Sequence, residues 1–280
     1  MGILITPKFR FKVPIEASCI TPDNFSNLSL NEILSLEVFE GNRKRKIEEL
    51  FEVKTETYVS PDGFTIRMVG DFSKVKCIGA GMSMGKIAIT GVVGMRLGEG
   101  MKGGSIEVRG NAGSWVGTMM SGGKIEVFGD TGDYTGASYW GSVKGMSGGE
   151  IIIYGNASNE TGCYMRDGLI KVYGSVGQFT GVHMRGGTVL VHGDSNGRDG
   201  AEMVDGKIVV MGRVQSVLPS FRVERIASRV KVGKESVEGP FYVFTGDLTE
   251  EGNGKLYISK VNNQHLEHFD KYLLPVKLNL

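Results

Sequence analysis

The chain has 280 residues, with 32 Lys+Arg against 31 Asp+Glu and a formal net charge of +1. That balance excludes an electrostatic bias toward nucleic acid or anionic lipid. No apolar run approaches 18 residues and the N-terminus lacks a signal-peptide core, so a cytoplasmic chain with no membrane partner is expected. Three scattered cysteines, Cys19, Cys77 and Cys163, make neither a disulfide framework nor a zinc knuckle. Of the 43 glycines, 34 lie between Gly79 and Gly212, which divides the chain into residues 1–70, 71–212 and 213–280.

The first segment reads as an N-terminal cap. Ile3–Ile5 and Phe9–Val13 are predicted extended. Ser29-Leu30-Asn31-Glu32 is a capping-box pattern before Ile33 and Leu34, so a short helix starts there. Leu36–Glu40 reads as a strand closed by Gly41-Asn42, and Ile47–Phe51 as a helical turn. Tyr58–Arg67 reads as a hairpin around Pro61-Asp62-Gly63.

The middle segment is periodic. Met82, Met101 and Met120 stand 19 apart, a step of 26 leads to Met146, and steps of 19 lead to Met165, Met184 and Met203. Glycine follows each Met by three residues at Gly85, Gly104, Gly123, Gly149, Gly168, Gly187 and Gly206. It follows by nine at Gly91, Gly110, Gly129, Gly155, Gly174, Gly193 and Gly212. Between these columns run alternating β-branched pairs such as Ile87/Ile89, Ile106/Val108 and Ile125/Val127, the pattern of a strand with one buried face. Stacking such units superposes Ile on Ile, with glycine at the corners and methionine filling the interior. The expected fold is all-β: a right-handed single-stranded parallel β-helix of about seven 19-residue glycine-rich coils, with small α+β capping segments. A calcium β-roll is disfavoured because no acidic column accompanies the glycines.

The last segment loses the period. Phe241–Thr245 and Lys255–Lys260 alternate across Gly252-Asn253-Gly254, a second hairpin that caps or docks.

A search for chemistry gives no catalytic, cofactor-binding or metal constellation. Gly98–Gly103 satisfies GxGxxG but opens a strand rather than a helix, and Gly81–Lys86 is too short for a phosphate loop. His265 and His268 read as a solvated tail without a third ligand. The Met1–Thr6 match to a myristoylation pattern also reads as a strand. Surface remains. The residues eight after each Met include Phe128, Tyr154, Tyr173 and His192; those six after end in Ile152, Lys171, Leu190 and Val209. Such a face needs cover, from the C-terminal segment or from another subunit. The seven-residue insertion before Met146 presents Tyr139 and Trp140. These six aromatic and imidazole residues are the candidate partner face.

The M-x-G-G-x-I-x-V-x-G beat, Val38-Phe39-Glu40-Gly41-Asn42-Arg43, Gly70-Asp71-Phe72-Ser73-Lys74-Val75-Lys76 and Gly239–Leu248 resemble the C-subunit of formylmethanofuran dehydrogenase. The beat alone is also similar to the C-terminal domain of the glutamate synthase large subunit, which ends a far longer chain. The first resemblance implies a scaffold within a complex that reduces CO2 and fixes it as formylmethanofuran, the first step of methanogenesis from CO2. It implies that other subunits carry molybdopterin with tungsten or molybdenum, iron–sulfur clusters and a binuclear metal centre. Its partners would be the molybdopterin subunits, an amidohydrolase-like subunit and a polyferredoxin. Two alternatives stand: the C-subunit of a bacterial formyltransferase/hydrolase complex, and a stand-alone β-helix enzyme.

Overall fold

The computed structural model describes residues 2–57 and 63–273. The chain begins with β1 (Gly2–Pro7), β2 (Ile15–Glu16), α1 (Pro22–Phe25), α2 (Leu30–Ser35), β3 (Glu37–Glu40), β4 (Arg43–Lys46), α3 (Ile47–Leu50), β5 (Phe51–Glu56), β6 (Thr65–Val69) and β7 (Val75–Lys76). The glycine-rich stretch follows with β8 (Lys86–Thr90), β9 (Ser105–Arg109), β10 (Lys124–Val127), β11 (Ser147–Ile153), β12 (Asp167–Val172), β13 (Arg185–Val191) and β14 (Asp205–Val210). It ends with β15 (Arg222–Val232), β16 (Glu235–Gly246) and β17 (Gly254–Ser259).

Thirteen strands form one mixed sheet in the order β15-β16-β17-β14-β13-β12-β11-β10-β9-β8-β6-β1-β5. A second sheet has the order β4-β3-β2-β7. The pairs from β17 through β1 are parallel, whereas β1·β5, β15·β16 and β16·β17 are antiparallel. This corrects the expected single-stranded parallel β-helix with separate α+β caps. The apolar alternation does not stop at the glycine boundaries, so the terminal segments become members of the same sheet. Ile3, Ile66, Ile87, Ile106, Ile125, Ile151, Ile170, Val189, Ile208 and Leu256 pair in register across it. All are buried. Burying each such side chain is worth ~1.5–3 kcal/mol.

A line of single-residue parallel bridges runs beside the sheet, from Phe72–Val93 to Ser195–Val214. Met82, Met101, Met120, Met146, Met165, Met184 and Met203 are all fully buried, and the Cε atoms of Met82, Met101 and Met120 lie against Gly104, Gly123 and Gly149.

Local chemistry explains the smaller elements. Ser29 accepts from the Glu32 N–H while Glu32 accepts from the Ser29 N–H at 2.8 Å, which fixes the start of α2. Phe9–Val13 forms no strand. The turn expected at Pro61-Asp62 falls in residues 58–62, outside the described residues. The first arm of that hairpin, from Tyr58, lies there too; β5, which ends before it, is separated from β6 in the sheet by β1. β16 and β17 do pair as a hairpin, Thr245 facing Lys255. The strand β15, unanticipated, pairs with β16.

Candidate docking faces

The structure places the two glycine columns at close approaches. Gly85, Gly104, Gly123, Gly149, Gly168, Gly187 and Gly206 have positive φ. At Gly104 a Cβ would sit 2.6 Å from Met82 Cε and 2.7 Å from the Gly85 carbonyl oxygen. In the second column, Gly91 and Gly110 also have positive φ, while Gly129, Gly155, Gly174, Gly193 and Gly212 press on the backbone of the preceding glycine in the column.

On the outer surface, in-register pairing sets like positions one strand spacing apart, ~4.8 Å. Phe128 therefore stacks on Tyr154 at 4.6 Å, Tyr154 on Tyr173 at 5.2 Å, and Tyr173 on His192 at 4.7 Å. The rings lie within 11° of parallel. The Arg109 guanidinium covers the far side of Phe128 at 5.4 Å. All four stacked side chains belong to exposed residues. The Tyr154 hydroxyl donates to Glu126 at 3.4 Å, and desolvation followed by the Glu126 charge raises its pKa. Desolvation lowers that of His192.

The neighbouring outward column is covered by the chain itself. Leu190 and Val209 pack with Ala227, Val230 and Val232 of β15 and with Phe241 and Val243 of β16. The β15–β16 pair thus supplies the cover, for this column and not for the stacked rings.

Tyr139 and Trp140 lie elsewhere, and no aromatic contact among the described residues joins them to the stack. Their loop is braced. Arg96 donates to the Tyr139 hydroxyl at 2.6 Å, Arg166 to the Val143 carbonyl at 3.2 Å, and Ser138 to the Ser142 carbonyl at 2.8 Å. Desolvation, reinforced by Glu99, pushes Tyr139 well above the usual phenol range. Beneath the loop is an open cleft of about 550 Å³. Its walls include Tyr134, Trp140, Glu160, Tyr164, Phe179 and His183, with Glu202 at one end. Cys163 is buried beside it, and desolvation, helped by Glu160, pushes its thiol to about 12, which leaves it unreactive at neutral pH.

The sequence reading missed this cleft. Arg96, Trp115, Tyr134, Glu160, Phe179 and Arg198, fourteen residues after successive Met positions, all have left-handed backbones, with φ between +56° and +67°. Tyr164, His183 and Glu202, eighteen after, are left-handed too. The conformation costs a non-glycine residue roughly 1–2 kcal/mol. In a chain rich in glycine, large side chains held there are a signal of use. The shared offset was visible in the sequence, but the residue types at it have no common chemistry.

Among the described residues, no group of three or more His, Cys, Asp or Glu side chains is placed to hold a metal ion. His268 Nδ1 lies 3.0 Å from the His265 carbonyl oxygen. No helix among the described residues is long and apolar enough to cross a membrane.

No family model matches the chain. It is 50% identical over 97 residues to the C-subunit of the molybdenum-containing formylmethanofuran dehydrogenase 1 of Methanothermobacter marburgensis, covering 35% of this chain and 24% of that protein. It is 41% identical over 93 residues to the C-subunit of the tungsten-containing formylmethanofuran dehydrogenase 2 of Methanothermobacter wolfeii, covering 33% of this chain and 34% of that protein. These matches thus span only a quarter to a third of the relatives' length. A chain in the crystal structure of the formyltransferase/hydrolase complex from Methylorubrum extorquens, solved with methylofuran, superposes with a TM-score of 0.80. It is 27% identical, and the match covers 91% of this chain and 99% of that one. The protein is therefore similar in sequence, over about a third of its length, to the C-subunits of molybdenum- and tungsten-containing formylmethanofuran dehydrogenases, and in fold, over nine-tenths, to a chain of a formyltransferase/hydrolase complex.

Proposed function

We propose that this chain is a non-catalytic scaffold subunit of a formylmethanofuran dehydrogenase complex, which reduces CO2 and fixes it as formylmethanofuran. The observation that carries the reading is the 50% identity to a formylmethanofuran dehydrogenase C-subunit, supported by the near-complete superposition on a chain from a formyltransferase/hydrolase complex. A rigid sheet with exposed aromatic faces suits a subunit that holds others together. In this reading segments 1–70 and 213–280 flank the glycine-rich stretch as capping and docking segments, the glycine columns keep the strands in close register, and the stacked rings are a partner face. The complex works in the cytoplasm. Molybdopterin with molybdenum or tungsten, the iron–sulfur clusters and the binuclear metal centre belong to other subunits; the described residues offer no donor set for a metal, and no step is assigned to this chain through one.

A second reading is favoured by the fold comparison: the corresponding subunit of a formyltransferase/hydrolase complex without redox partners. Purification of the tagged chain from its own cells separates the two. Co-purification of a molybdopterin subunit and a polyferredoxin supports the first. An amidohydrolase-like subunit with a formyltransferase and no redox chain supports the second. Turnover by the isolated chain would overturn both scaffold readings.

A further inference from the structure

We infer that the cleft beneath the 138–143 loop receives a basic side chain, arginine or lysine, from a partner subunit. The inference rests on the subunit reading and adds which surface engages and what chemistry it selects.

Charge is the first argument. The cleft lining carries two carboxylates, Glu160 and Glu202, and no lysine or arginine. Among the described residues Glu160 has no ion-pair partner; Glu202 meets His183 at 3.2 Å, a pair that is ionic only when the imidazole is protonated. The walls are aromatic faces, which attract a cation through the ring quadrupole. Tyr164 stacks on His183 at 4.4 Å, presenting a flat double surface.

The same face already holds guanidinium groups in this manner. Arg198 lies 5.0 Å from the Phe179 ring centroid, and Arg96 lies 5.2 Å from that of Tyr139. Arg198 thus lies on a cleft-wall ring itself, which leaves the stacked Tyr164 and His183 as the aromatic surface offered to a partner's cation. A planar guanidinium can stack on a ring and pair with a carboxylate at once.

The rim points to a protein rather than a free small cation. Trp140 is 80% exposed and Val143 is 49% exposed, so the loop edge of the cleft is apolar, while the Glu202 side chain at one end is 54% exposed. The loop edge has the anatomy of an interface anchor, in which a buried contact is flanked by groups that exclude water. The bracing of the loop by Arg96 and Arg166 leaves little to order on binding.

The test uses the tagged full chain assembled with the subunits that co-purify with it, with affinity read by dilution at several salt concentrations. The Glu160→Gln/Glu202→Gln double variant is expected to assemble at least tenfold more weakly and with a shallower salt dependence. Tyr164→Leu, which keeps apolar bulk but loses the ring, is expected to weaken assembly, and Tyr164→Phe to restore it. Glu48→Gln, an exposed carboxylate on α3 away from both the cleft and the stacked rings, serves as a charge control and is expected to leave assembly unchanged. Wild-type affinity in the double variant, or in Tyr164→Leu, would overturn the inference while leaving the subunit reading intact. If the wild-type chain captures no partner, the subunit reading fails and this inference falls with it.

Discussion

The Lys171 ammonium donates to Glu235 Oε1 at 2.9 Å, joining β12 to the start of β16 across 64 positions of sequence. Glu150 adds a second carboxylate at 3.7 Å. Lys171 is buried on the outward face of the sheet, so the ion pair helps close β15 and β16 over Leu190 and Val209. Burial pulls the Lys171 pKa down, and Glu235 and Glu150 more than reverse it, leaving it raised. The contribution is therefore present through neutral pH and fades only above the ordinary lysine value, ~10.4. An apolar residue at Lys171 leaves two carboxylates that keep contact with water, Glu150 at 33% and Glu235 at 62% side-chain exposure, so no buried charge is stranded. Lys171→Met is expected to unfold within ~1 kcal/mol of wild type, while Lys171→Ala loses roughly 2 kcal/mol through the vacated volume. Urea titration measures both. Equal losses would show that the β15–β16 pair is held by charge rather than packing.

Glycine is required at two levels, and substitution separates them. Gly81 has φ +66° with nothing within 4 Å of a would-be Cβ. Gly81→Ala is expected to cost only the left-handed backbone, ~1–2 kcal/mol. Gly104 has φ +73° and would drive its Cβ against Met82 Cε and the Gly85 carbonyl oxygen. Gly104→Ala is expected to cost at least ~2 kcal/mol more, because overpacking adds to the strain. Thermal melts of the two variants decide it, and similar melting temperatures would mean that the strands part easily at Gly104.

What the sequence made legible was local. Ile106 and Val108 alternate between glycines, and that alone marks β9 with its buried face; Ser29 and Glu32 mark the start of α2. Strand partners are not local. Nothing in Leu256 and Ile258 says that β17 returns to lie parallel beside β14, or in Ile3 that β1 lies between β5 and β6. This is why separate caps are expected from sequence where the sheet continues. The strand β15 escapes a sequence reading because its residues, RVERIASRVKV, bury only Ala227, Val230 and Val232 and show no clean alternation. Tyr139 and Trp140 stand out as an aromatic pair on an insertion, but the cleft below them depends on backbone φ at Glu160, Tyr164, Phe179 and His183, which residue identity does not report.

The stacked rings give an assembly prediction. Tyr173 sits between Tyr154 and His192 and is 45% exposed. Removing it interrupts the stack without opening the core, since Ile170 and Val172 on the same strand remain buried. Tyr173→Ala is expected to lower the stability of the isolated chain by ~1 kcal/mol or less, the worth of a lost aromatic pair. Its effect on assembly is expected to be larger, at least tenfold in dissociation constant, if this face meets a partner. Dilution of the purified complex reads it. An unchanged complex would make the stack a feature of the fold alone.

Asp199 gives the pH prediction. It is buried and stands fifteen residues after Met184, where Met120, Met146 and Met165 are followed by the buried Thr135, Thr161 and Thr180. Its Oδ1 accepts from the Ser195 hydroxyl at 2.6 Å, and its Oδ2 has no hydrogen-bond partner among the described residues. Burial pushes its pKa from 3.8 up to about 6, offset in part by the Ser195 and Thr180 hydroxyls. The folded chain therefore holds this proton more tightly than the unfolded chain does. Stability from this group is full below about pH 4, falls as the pH rises toward 6, and is level above that. A difference of two pKa units corresponds to at most about 3 kcal/mol. Asp199→Asn keeps an acceptor for Ser195 and carries no charge at any pH. It is expected to melt close to wild type at pH 4 and higher than wild type at pH 7.5, with the wild-type slope between pH 4 and 6 reduced. Melting curves across that range check it. An Asn variant less stable than wild type at pH 7.5 would mean that the Ser195 and Thr180 hydroxyls fully compensate the buried charge.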